Sequence, residues 1–337
     1  MTLTEKIDYS NMGLMVLAAI AAFLLPFEVF LFSYAVLGPL HYLTEIGWLH
    51  KKGFYTTGKN DFVWLVVLGL LITLGFFKFD VWLESISTNL IFIGFLSALI
   101  MMAIKDNALK IAAILAVVIS TFFFRGSGFY EVFFAIFLPT IIHVFLFTGL
   151  FMLYGALKSR SIPGVLSVVL LSLCALSFFW IPANYSPLAN QQYLMESYGS
   201  FAELNRQLIN LFGLGNLSPF AAETSTENLN TIFMAQPGFM VMRFVAFAYT
   251  YHYLNWFSKT SVIQWHKVPK PTLYFVLAIW ALSVALYMYS YEVGLKWLFL
   301  LSFLHVLLEF PLNYRSIVGI FQELKALASG GMKSAKS

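Results

Sequence analysis

The sequence predicts an all-α fold: a polytopic transmembrane helical bundle of about nine spans, N-terminus outside and C-terminus inside. Three observations predict it. The 337-residue chain is 60% hydrophobic and only 11% charged, where a soluble domain carries roughly a quarter. Its apolar residues fall in runs near the ~20 residues that a membrane helix needs, without the alternation of barrel strands. The loops between those runs alternate in charge. A soluble enzyme, a disordered chain and a nucleic-acid binder are excluded on composition. The single cysteine, Cys174, lies inside an apolar run and supplies neither a disulfide framework nor a thiolate metal cluster. The first charges, Glu5, Lys6 and Asp8, make no basic leader, so the first run reads as a permanent helix.

The runs cover residues 13–38, 61–77, 88–104, 108–124, 131–156, 162–181, 236–257, 271–290 and 293–312. Odd-numbered connections are basic: Lys51, Lys52 and Lys59 in the first, Lys105 and Lys110 in the third. Lys158 and Arg160 follow in the fifth, and Lys259, Lys267 and Lys270 in the seventh. The end after the last run carries Arg315, Lys325, Lys333 and Lys336. Even-numbered connections are acidic or balanced, with Asp80 and Glu84, then Glu131, then Glu196, Glu203, Glu223 and Glu227. This alternation follows the positive-inside rule and orients the bundle. The whole chain, 1–337, reads as one transmembrane domain in the inner membrane of a bacterium. Its long polar stretch, 182–235, is an extracytoplasmic segment between spans six and seven. That stretch reads as one or two short interfacial helices, a lid, a plain solvated loop or a docking place for a protein partner. The Ser329–Ser337 end reads as disordered.

Six histidines are present. His50 and His266 fall among loop lysines and read as solvated. His41, His143, His252 and His305 fall in or at the ends of apolar runs, where an ionisable side chain is costly and a functional role is the default hypothesis. Their four runs all point from outside to inside. They stand 10, 15, 7 and 10 residues before Lys51, Lys158, Lys259 and Arg315, a common level within roughly 12 Å. Neutral imidazole is the commonest metal ligand, and three or four in one pocket suit iron, zinc or copper. Any one of them alone equally reads as an interhelical hydrogen-bonding residue.

Carboxylates follow two of the four at i+4, Glu45 after His41 and Glu309 after His305, which places each pair on one helix face. A buried Glu there either accepts an imidazole N–H and fixes its tautomer or binds metal directly. Otherwise it extends to the interface. Tyr251 and Asn255 flank His252 with further hydrogen-bonding groups. Glu28 lies 13 residues before His41, roughly 20 Å along a helix, and reads as a partner of Arg243 or as part of an ion path. No GxGxxG, Walker loop, GxSxG or HExxH occurs. Six histidines without an adjacent pair also argue against the histidine-box di-iron desaturases.

The order of motifs resembles a known family. GPLHYLTE at 38–45, IIH at 141–143, YHY at 251–253 and LHVLLEF at 304–310 are similar to the four histidine motifs of the bacterial Brp/Blh membrane β-carotene 15,15'-dioxygenases. The likeness covers four short patches. Leu40 separates Pro39 from His41, Glu45 replaces an Asp, and no proline precedes His305. The resemblance implies a non-haem iron held by His41, His143, His252 and His305, with Glu45 and Glu309 as supports. It also implies cleavage of an apolar, carotenoid- or isoprenoid-like substrate with dioxygen. A transporter with an intramembrane polar path and a non-catalytic membrane subunit stay open beside it.

Overall fold

The computed structural model describes residues 3–124, 126–182, 188, 190–219, 225–259 and 267–329. His266 and the terminal stretch 330–337 lie outside them. The described chain is mainly helical, with no strand. We number the helices α1 Leu3–Leu24, α2 Pro26–Lys51, α3 Asp61–Phe76, α4 Val81–Ala103, α5 Asn107–Phe124, α6 Gly128–Ser159 and α7 Ile162–Trp180. There follow α8 Gln191–Tyr198, α9 Ala202–Leu211, α10 Ser225–Met234, α11 Gln236–Ser258, α12 Lys270–Tyr289 and α13 Tyr291–Ala328. Eight of these are long and apolar enough to cross a membrane, and the end of α10 with α11, bent by 62°, makes a ninth. The chain is thus a polytopic helical membrane protein.

Local chemistry sets the boundaries. Asp80, Ser127, Ser161, Asn190 and Ser290 cap α4, α6, α7, α8 and α13 by accepting a backbone N–H in the first turn. Pro26, Pro163, Pro237 and Pro271 stand in first turns, where the missing N–H costs nothing. Between α12 and α13 only Ser290 intervenes, and the helices close so tightly that a Cβ on Gly294 would meet the Tyr287 ring at 2.4 Å. At the lysine-rich end, the buried Lys110 ammonium binds both Asp61 carboxylate oxygens at 2.8 and 3.0 Å. Removing one partner would leave a buried charge uncompensated, at a cost of about 3–5 kcal/mol.

The structure corrects the expected run 13–38 and with it the expected N-terminus. Pro26 biases its predecessor away from helical dihedrals, and Leu25 has φ −138° and ψ 63°. One apolar run is therefore two helices. Ser258 donates to Asn11 Oδ1 at 2.6 Å and Ser161 donates to Asp8 at 2.5 Å, while Arg160 pairs with Glu323 at 3.0 Å. The first three turns of α1, the loop after α6, the end of α11 and the last helix thus share the lysine-rich end. At the opposite end Arg243 donates to the Phe23 carbonyl and the Leu188 N–H donates to Glu28. Helix α1 therefore runs toward the acidic end and α2 returns, so the N-terminus lies at the same end as the C-terminus. With the 16-residue α3 counted, ten passes join the two ends.

Helices α8 and α9, linked by the tight turn Gly199–Phe201, fold back over the acidic end. Tyr198 packs edge-on against Phe27 and Phe30 and donates to Asn205 at 2.7 Å. Burial pushes the Tyr198 phenol well above its ordinary range. Arg206 grips Glu203 with Nε and Nη2 at 2.8 and 2.6 Å and donates Nη1 to the Leu217 carbonyl. The described part of 182–235 is a packed cover, not a plain solvated loop.

In a Cys174→Ser background, cysteines at Thr4 and Lys325 should resist an impermeant maleimide added outside intact cells, and one at Gln192 should react. Labelling at Thr4 without labelling at Lys325 would restore an odd number of passes.

Candidate metal centre

Helices α2, α6, α11 and α13 all run toward the lysine-rich end, and each delivers one histidine to the same level. All four histidines are buried: His41 at 1%, His143 at 1%, His252 at 7% and His305 at 3% exposure. Two of these helices are locally underwound where they approach. Helix α2 widens to a π turn at Ser33–Leu37, immediately before Gly38 and Pro39. Gly38 admits the hydroxyls of Tyr42 and Tyr253, which a Cβ would meet at 3.0 and 3.3 Å. Helix α6 is π-helical over Val132–Phe147, around Pro139, which lacks the N–H of a regular helix. Such stretches recur at functional sites because they re-aim side chains that a regular turn would direct elsewhere.

The imidazoles meet nitrogen to nitrogen. His41 Nε2 lies 3.0 Å from His252 Nε2, and His143 Nε2 lies 3.2 Å from His305 Nε2. One ligand atom each of His41, His252 and His305 lies within 4.8 Å of the other two; His143, expected as a fourth ligand, stands outside this triad and touches it at His305. Two ligands at about 2.0–2.1 Å from a common ion, in tetrahedral or square array, stand about 2.9–3.4 Å apart. The His41–His252 and His143–His305 separations fall in that interval. The donor set thus fits a borderline divalent ion.

The carboxylates divide in role. Glu45 Oε2 lies 3.0 Å from His41 Nε2, the same nitrogen that faces His252, and without hydrogen-bond alignment. Glu309 does not support His305, its i+4 partner in sequence. Its Oε2 reaches across to α6 and lies 3.2 Å from His143 Nδ1. The reason is that the His305 ring turns across the bundle toward His143, leaving the far nitrogen of His143 as the nearest imidazole group for the carboxylate.

Of the residues flanking His252, Asn255 shares its face at i+3 and borders a small cavity with His41, Glu45 and Glu309. Tyr251, one residue earlier, is turned aside by the 100° helical step, and its hydroxyl meets Met152 Sδ at 3.5 Å. Arg243 stacks 4.2 Å over the Phe23 ring, and Glu28 accepts the Leu188 N–H at 2.7 Å. Both belong to the acidic end, away from the imidazoles. Two contacts escaped sequence reasoning. Thr148 Oγ1 lies 2.8 Å from His252 Nδ1 in hydrogen-bond geometry, and the Tyr42 ring stacks on His305 at 4.4 Å. Thr148 follows His143 by five residues, a spacing that signals one face only if the helix is read as π-helical.

On the acidic side the cluster opens into a cavity of about 330 Å³, bordered by His143, His252 and His305 at one end and by Phe201, Glu203 and Leu204 of the cover at the other. Its walls are mainly aromatic and aliphatic. Paired hydroxyls, Tyr42 with Tyr253 at 2.9 Å and Tyr34 with Ser302 at 3.3 Å, are among its polar groups, with Glu203, Ser87, Thr140 and Ser200. Compared with known proteins, the chain matches no family model, no curated protein and no solved structure.

In the tautomer where His252 Nδ1–H donates to Thr148, the Nε2 lone pair is left facing His41. Thr148→Val removes that support and should weaken metal binding by about 10–100-fold, measured by chelator competition. His252→Ala should abolish binding. Equal affinity in Thr148→Val and the unmodified protein would remove Thr148 from the site.

Proposed function

We propose that the chain is an integral membrane oxygenase whose histidine-held metal, with iron as the leading candidate, acts with dioxygen on a lipid-soluble substrate. One observation carries the proposal: the buried imidazole cluster forms one end of a large apolar cavity within the bundle. A bound ion with an open position would supply dioxygen activation and Lewis-acid chemistry. The residues of the chain supply the rest. His41, His143, His252 and His305 present neutral nitrogens to the ion. Thr148 holds the His252 ring through its far nitrogen, and Glu309 lies 3.2 Å from the far nitrogen of His143. Phe303, Leu295, Phe299 and Ile136 exclude water from the space above the imidazoles, as a reactive oxygen chemistry requires.

The resemblance of the four motifs to the Brp/Blh family points the same way and favours a carotenoid- or isoprenoid-like substrate in a bacterial plasma membrane. The paired tyrosine hydroxyls suit a substrate with at most one or two polar groups along an apolar body.

Purified protein should hold stoichiometric iron and consume dioxygen only with an apolar polyene or isoprenoid added. Ala135→Trp, which fills the cavity away from the ligands, should reduce turnover at least tenfold while iron content stays unchanged. Ion flux in liposomes by a metal-free protein would favour transport over oxygenation.

A further inference from the structure

Each histidine of the cluster has an oxygen-bearing side chain one turn nearer the lysine-rich end. Glu45 follows His41 by four residues, Asn255 follows His252 by three, and Glu309 follows His305 by four. Thr148 follows His143 by five, the offset that a π turn brings onto one face. Four oxygen groups therefore lie on the lysine-rich side of the imidazoles, those of Thr148, Glu45 and Glu309 at 2.8, 3.0 and 3.2 Å from the nearest ring nitrogens. All four border one cavity of about 40 Å³. That is room for a single ion with a water, since a water occupies at least roughly 10–15 Å³ of such space.

Within this layer Glu45 Oε2, Asn255 Oδ1 and Glu309 Oε2 have no hydrogen-bond donor. Glu45 and Asn255 are 1% and 6% exposed. Buried acceptors turned toward one small space are costly when nothing positive lies between them. The cation nearest in the chain is Lys259, which also borders the cavity. Its ammonium sits 4.5 Å over the Phe151 ring instead, and among the described residues it makes no ion pair with either carboxylate.

We propose that the oxygen layer is a second cation site, which takes a hard divalent ion of the manganese or magnesium class beside the metal held by the imidazoles. Two carboxylates, an amide oxygen and a hydroxyl select for such ions, whereas imidazoles suit iron, zinc or copper. Donor chemistry thus sorts two different ions onto two adjacent layers, with Glu45 at the boundary through its contact with His41. The inference rests on the imidazole reading for its neighbour, but Asn255 serves the lower layer alone.

The full chain in detergent, stripped by chelator, would be loaded with zinc and then with manganese, and both would be counted per chain by plasma mass spectrometry after dialysis. The expected result is about one zinc and one manganese. Asn255→Leu, close in volume but without the oxygen, should lower manganese affinity more than about tenfold with zinc unchanged, and Glu309→Gln should act in the same direction. Zinc without manganese in the unmodified protein would overturn the second site and leave the imidazole reading standing. Neither metal would overturn both. Two zinc ions and no manganese, or manganese unaffected by either substitution, would overturn the assignment of a hard cation to this layer.

Discussion

Four imidazoles pressed nitrogen to nitrogen in an apolar interior are the constraint from which the rest of this bundle follows. A neutral imidazole carries one N–H and one lone pair, so two rings meeting at 3.0 or 3.2 Å need a shared proton or a shared ion. Neither contact forms unless four helices reach one level from one direction. The bundle is arranged around that demand. Gly38 lets α2 and α11 close through their tyrosine hydroxyls, the π stretch of α6 swings His143 inward, and α13 extends over 38 residues to hold His305 and Glu309.

Much of this was legible in the sequence. An ionisable residue in an apolar run is expensive, and four at one depth with one direction share a cause. The charge alternation of the loops located that depth without reference to any contact. What stayed hidden was hidden for physical reasons. Pro26 sits among apolar residues, so hydropathy runs straight through the break that turns α1 into α2. That one missed break moved the N-terminus to the other end and changed the parity of the passes. The pairing of Glu309 with His143 is a contact between helices, and spacing within one helix is blind to it. Thr148 was invisible because a regular helix puts i+5 on another face.

The cluster divides the interior into unlike compartments. Toward the acidic end lies a wide aromatic cavity roofed by α9, and toward the lysine-rich end a narrow polar one. An apolar molecule and a hydrophilic solute would thus meet the imidazoles from opposite sides without sharing a path. The cover takes part in this division. Ser200, Phe201, Glu203 and Leu204 border the wide cavity directly, and Arg206 ties that stretch to the loop at Leu217.

Helix α3 is short. Its 16 residues span about 24 Å, against the ~30 Å hydrocarbon thickness of a typical bilayer. A helix that undershoots its membrane draws the lipid surface inward around itself. Ile72 and Phe76, near its upper end, are part of the wall of the wide cavity, and Phe76 stacks at 4.1 Å on Phe299 from α13. A bilayer drawn in around α3 would be thinnest beside the wall behind which the imidazoles sit. A molecule dissolved among the lipid tails would then travel the least depth to reach that wall.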